Sequence, residues 1–159
     1  MFLQNNGLDS QKLNLALGFI ESNRFAAAFR ILSGLNTDDN AEATFALGVC
    51  LDKASEYPLA AGCFEKTLAV LKRNRPLASS APKTDVYRIL RQAEIAEKAY
   101  LVPFYPEDAA DFFETVKENV TIALAEAYVK CGDTDKAKVL INSLAGSEFD
   151  EIKTKINAE

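Results

Sequence analysis

A spacing of 32 residues ties the first half of this chain to itself: Leu15 to Leu47, Phe25 to Tyr57, Ala28 to Ala60 and Leu32 to Phe64. Large residues fall on large ones and small on small, so the interval marks a repeated packing unit rather than a shared composition. The clearest unit is Ala43–Leu68, which reads as two amphipathic helices joined at Ala54–Ser55–Glu56. Asp38, Asp39 or Asn40 starts the first helix. Pro58 falls in the first turn of the second, where its missing N–H costs nothing. In the unit before it, Asp9 or Ser10 caps a helix running to Glu21–Ser22, and Phe25, Ala28, Phe29, Leu32 and Leu35 carry the next. Links this short force antiparallel pairs. A looser third copy contains Leu124–Ala125, Tyr128, Gly132–Asp133, Ala137, Ile141 and Leu144.

These residues carry a resemblance to the tetratricopeptide repeat family. Its pattern places Leu-Gly, then Tyr, then Ala-x3-Phe after the turn. Leu47–Gly48, Leu51, Tyr57 and Ala60-x3-Phe64 match best; Leu15–Ala16 with Phe19 and Ala28-x3-Leu32 come next, then Leu124–Ala125 with Tyr128 and Ala137-x3-Ile141. The family's first aromatic is replaced by Lys12, Thr44 and Thr121, and the usual proline after the second helix is missing. The resemblance implies an all-α fold, a right-handed superhelix of stacked antiparallel pairs with about eight helices. Regular repeats are expected over 9–40, 41–73 and 118–146 of one domain spanning 1–159, with a capping helix over 147–157.

Residues 74–117 break the period. Arg75–Pro76 through Pro82–Lys83, with Ser79–Ser80, is a loop by composition. Thr84 or Asp85 caps a helix through Val86, Ile89, Leu90, Ala93, Ala96 and Tyr100, which Val102–Pro103–Phe104–Tyr105–Pro106 interrupts. From Glu107 to Lys130 there is no proline or glycine, which predicts one long helix. Ala109 precedes Ala137 by only 28 residues, too few for an ordinary turn between copies. The region therefore reads as a distorted repeat.

Composition narrows the function classes. The chain has 159 residues, 48% hydrophobic and 26% charged, enough for one ordinary core. A net charge of -5 and scattered lysines and arginines exclude a basic nucleic-acid or anionic-membrane footprint. No apolar run is long enough for a bilayer, and Met1–Phe2–Leu3 followed by Gln4–Asn5–Asn6–Gly7 is not a secretory start, so a cytoplasmic protein is expected. Cys50, Cys63 and Cys131 sit among apolar neighbours and read as small hydrophobes. With no histidine, the chain lacks the commonest acid–base and zinc-binding residue. No catalytic residues, metal or cofactor are predicted. Asp108, Asp111, Glu114 and Glu118, at helical spacing, read as a solvated face.

In the family the first helix of each pair lines a concave groove that takes peptides. The corresponding positions here are Leu13, Leu17 and Ile20; Phe45, Val49 and Asp52; and Ile122, Glu126 and Val129. The Lys, Asn and Arg set that grips acidic chaperone tails in other members is missing there, so such tails are not expected as ligands. The resemblance implies a non-enzymatic protein–protein interaction module whose apolar face holds a peptide or a partner helix. Two alternatives remain: a small acidic chaperone resembling those of secretion systems, and a self-associating element whose groove closes a homodimer. The groove is also open to filling by the chain itself, for example by the 85–101 helix.

Overall fold

The computed structural model describes residues 2–76 and 82–159. The described residues form nine α-helices and two short 3₁₀ turns, with no strand among them. Three helix pairs make up most of the molecule: α1 (Phe2–Glu21) with α2 (Phe25–Leu32), α3 (Ala41–Lys53) with α4 (Tyr57–Arg73), and α7 (Phe113–Lys130) with α8 (Thr134–Asn142). Between α4 and α7 lie α5 (Asp85–Ala96), the 3₁₀ turn Ala99–Leu101 and α6 (Pro106–Asp111). A second 3₁₀ turn, Ser147–Phe149, leads into α9 (Asp150–Asn157). The loop expected around Ser79–Ser80 lies outside the described residues.

The three pairs share one turn. Asn23, Ser55 and Gly132 each adopt a left-handed conformation, with φ of 59°, 62° and 81°. Each donates its N–H to the carbonyl three residues back, and the next residue donates to the carbonyl five back: Arg24 to Phe19, Glu56 to Leu51 and Asp133 to Tyr128, at 2.7, 2.9 and 2.8 Å. This pair of hydrogen bonds satisfies the last carbonyls of the first helix and reverses the chain. The packing recurs as well. Ala28, Ala60 and Ala137 are fully buried, as are Leu32, Phe64 and Ile141. Small residues bring the helices together and large ones fill the space that remains.

Gly48 marks the closest approach within α3 and α4. A Cβ there would stand 2.6 Å from Phe64 Cε1 and 3.0 Å from Cys63 Cβ. Gly48→Ala is therefore expected to destabilise the fold by about 1–3 kcal/mol through overpacking. Gly62, on α4, has nothing within 4 Å of the same hypothetical atom. Gly62→Ala is expected to stabilise by up to about 1 kcal/mol through helix propensity. Urea melts of the two variants check the contrast, and equal midpoints would refute it.

Several local expectations change. Helix α1 begins at Phe2 rather than at a cap on Asp9 or Ser10. For α3 and α5 the caps are among those expected, Asn40 and Thr84, whose side-chain oxygens accept from Ala43 N at 2.9 Å and Tyr87 N at 3.1 Å. The single helix expected from Glu107 to Lys130 is broken at Phe112, where φ is -128° and ψ 42°. No glycine or proline causes the break. It leaves Phe112 63% exposed while Phe113 enters the core, so tertiary packing overrides a helical sequence. At the C-terminal end, Ile152 and Ile156 of α9 are buried where that helix packs on α8 and α7, and Phe149 is buried in the turn that contacts α5.

Candidate functional site

The positions expected to line an open groove are inside the molecule. Leu13, Leu17, Ile20, Phe45, Val49 and Ile122 are each at most 5% exposed. Glu126 is buried, while Asp52 and Val129 are half-buried. Leu13, Leu17 and Ile20 pack in one apolar cluster with Ala28, Leu32, Ala43 and Ala46, while Phe45, Val49 and Ile122 belong to another.

What covers Phe45 is the aromatic segment after α5. Phe104 packs on Phe45 with ring centroids 5.3 Å apart. Tyr100, also fully buried, stands against Glu126 and Asp52; burial first, then those two carboxylates, holds its phenol well above the usual tyrosine range. Tyr105 packs against the core of the first pair and donates its hydroxyl to Glu21 at 2.9 Å. Lys130 pairs with Asp52 at 3.4 Å, and Lys155 with Glu126 at 3.5 Å, so the polar members are paired as well. Residues 99–105, rather than the α5 helix that precedes them, cover Phe45, Asp52 and Glu126, whereas Leu13, Leu17 and Ile20 are buried among residues of α2 and α3. An exposed groove of these residues is thereby corrected to a packed core. Burying them removes aliphatic and aromatic surface from water without a partner.

Helix α5 is built the other way round. Val86, Ile89, Leu90 and Ala93 fall at i, i+3, i+4 and i+7, one stripe along the helix. Periodicity alone would turn that stripe inward. In the structure it points to solvent: Val86, Ile89 and Leu90 are 66%, 68% and 59% exposed. The face packed on the body is polar. Tyr87 Oη lies 3.1 Å from Thr115 Oγ1, and Arg91, only 2% exposed, donates to Asn119 Oδ1 at 2.6 Å. Ile95 is the one large apolar residue of α5 that is buried.

The contact is held by a cluster of ions. Lys83 donates to Glu148 at 2.7 Å and to Glu118 at 3.0 Å. Arg88 approaches Glu148 at 3.7 Å, and Arg91 approaches Glu118 at 3.7 Å. The Glu148 side chain has no exposed surface. Burial alone would raise its pKa, but the Lys83 ammonium, a backbone N–H and Arg88 outweigh that and hold it below the ordinary glutamate value. Gly146, at φ 132°, makes room for this carboxylate; a Cβ there would lie 2.6 Å from Glu148 Cδ. Glu118 is the member that helical spacing placed on a solvated face. Of the other three, Asp108 accepts from Tyr105 N at 2.9 Å and Glu114 pairs with Arg75 at 3.0 Å. The signal for Glu118 and Glu148 was the excess of cations at Lys83, Arg88 and Arg91, which follows the loop and needs acids from elsewhere.

A cavity of about 280 Å³ opens beside the end of α5, lined by Gln92, Ile95, Lys98, Tyr100, Glu151 and Ile152 among others. Its polar groups are of both signs and do not converge on one point. The cysteines are free: burial pushes the Cys50 thiol up to about 11, which suits packing rather than reaction, Cys63 is half-buried, and Cys131, expected among apolar neighbours, is exposed at the end of α7. No described helix is long and apolar enough to cross a membrane. Compared with family models, curated proteins and solved structures, the chain matches none of them.

Proposed function

We propose that this chain is a non-enzymatic interaction scaffold of tetratricopeptide-like helix pairs, and that its partner surface is the outer stripe of α5 rather than the inner face. One observation carries the reading: a strongly amphipathic helix is docked by its charged side and leaves three large aliphatics in water. Contiguous exposed aliphatics of this kind mark interaction surfaces on proteins that are otherwise well packed. The self-filled inner face supports the same choice, because a peptide would have to displace Phe104 and Tyr100 to enter.

Ile89→Ser/Leu90→Ser tests it. Both side chains are mostly exposed, so the unfolding free energy from urea melts is expected to change by no more than about 0.5 kcal/mol per site. Proximity labelling in the native host is expected to recover a protein with the wild type that the double variant loses. A set of labelled proteins that is the same for both would sink the proposal.

A further inference from the structure

The chemistry around the α5 stripe points to one kind of partner. The exposed part of the helix carries Asp85 and Glu94 beside Val86, Ile89, Leu90 and Ala93, with Glu97 at its C-cap and the exposed Lys98 just beyond. Its two arginines are turned toward the body, where they approach Glu148 and Glu118. The Asp85 side chain is 98% exposed and 3.9 Å from Arg88, and that of Glu94 is 55% exposed and 3.5 Å from the buried Arg91, so both acids keep a solvent-facing side. The stripe is therefore apolar along its centre and acidic at its margins.

Size adds a second constraint. A helix of 12 residues is about 18 Å long. Three exposed aliphatics on it fall well short of the roughly 800 Å² per partner that a stable protein–protein interface buries. They match one helix laid alongside, with aliphatics at the same spacing. A second copy would bring its own acidic margin, on a chain of net charge -5, against this one. A lipid surface is disfavoured for the same reason, since interfacial helices place Lys and Arg at that margin. We infer that α5 docks a single amphipathic helix whose Leu, Ile or Val stripe is flanked by lysine or arginine. The inference rests on the α5 reading above and names its partner class.

Two labelled synthetic peptides of about four turns test it on the full chain, both with leucines at i, i+3, i+4 and i+7. One carries lysines beside the stripe and the other glutamates; fluorescence anisotropy reads both. The lysine peptide is expected to bind with a Kd of about 10–100 μM in about 20 mM salt, at least about tenfold tighter than the glutamate peptide. The gap is expected to close in about 0.5 M salt, where the screening length falls to a few ångströms. Ile89→Ser/Leu90→Ser is expected to abolish binding, and Glu94→Gln/Glu97→Lys to weaken the lysine peptide and strengthen the glutamate one.

Equal binding of both peptides, still lost in Ile89→Ser/Leu90→Ser, would overturn the basic partner and leave the α5 surface standing. Binding that survives that double variant would overturn both. No binding by a chain that light scattering finds dimeric, and that the same variant turns monomeric, would make a second copy the occupant. No binding by a monomeric chain would overturn the helix partner. The proximity experiment judges the surface separately. Co-sedimentation with phosphatidylcholine–phosphatidylglycerol vesicles that depends on Ile89 and Leu90 would assign the stripe to a lipid surface.

Discussion

Glu148→Gln is expected to lower the unfolding free energy by about 3–5 kcal/mol, the cost of removing one partner from a buried ion cluster. The glutamine keeps the shape but not the charge. Lys83 and Arg91 are left with Glu118, and the arginines also with Asp85 and Glu94 at the exposed edge. The loss concerns the docking of α5, so amide exchange is expected to rise first over Asp85–Ala96. The charge also sets a pH dependence. Glu148 has a folded pKa below its ordinary 4.5, so its contribution is present above that value. It is lost as the pH falls below 4.5 and through the depressed folded value. Lys83 has the opposite sign: burial would lower its pKa, but its two carboxylates outweigh that and raise it. Its share is full below 10.5 and is lost as the pH rises through the folded value. The gap between the urea midpoints of wild type and variant should therefore hold above pH 4.5 and close as the pH falls below it. A gap that stays constant through that fall would show that Glu148 acts through packing alone.

Phe45→Ala is expected to cost about 3–5 kcal/mol, the range for a fully buried aromatic cut to alanine. The ring lies 5.3 Å from Phe64 within its own helix pair and 5.3 Å from Phe104 of the segment that covers the inner face. Its removal leaves a cavity bordered by Phe64 on one side and Phe104 on the other, and the helices around it relax only in part. A second readout separates the two neighbours. Hydrogen exchange should quicken over Ala99–Tyr105 if Phe45 is the seat of the covering segment. An open inner face would behave differently: an exposed phenylalanine changes stability by only about 0.5 kcal/mol when truncated. A midpoint shift that small, with unchanged exchange in 99–105, would restore the groove and move the partner surface away from α5.

Much of the scaffold was legible because it is encoded locally. The turn at Ser55 follows from a polar break between two periodic runs, and its echoes at Asn23 and Gly132 from the same spacing. Ala28 and Ala60, and Leu32 and Phe64, were readable as core from their size and their interval. The inner face was harder. Leu13, Phe45 and Ile122 were readable as apolar positions of their helices, yet helical spacing does not reveal what lies opposite. Phe104 reaches Phe45 across 59 residues of chain, and a proline-rich, aromatic run carries no mark of its destination. Helix α5 was misleading for a related reason. Its stripe of Val86, Ile89 and Leu90 looks like any core-facing stripe until Glu118 and Glu148 are seen to hold its other side.

By itself, then, the sequence determined the helices, most of their limits and the repeated hairpin, because period, residue size and turn chemistry act between neighbours a few positions apart. The tertiary structure alone decided that the inner face is closed and that α5 is turned outward. Those choices balance apolar burial against the desolvation of charges, and the acids that settle the balance lie far from α5 along the chain.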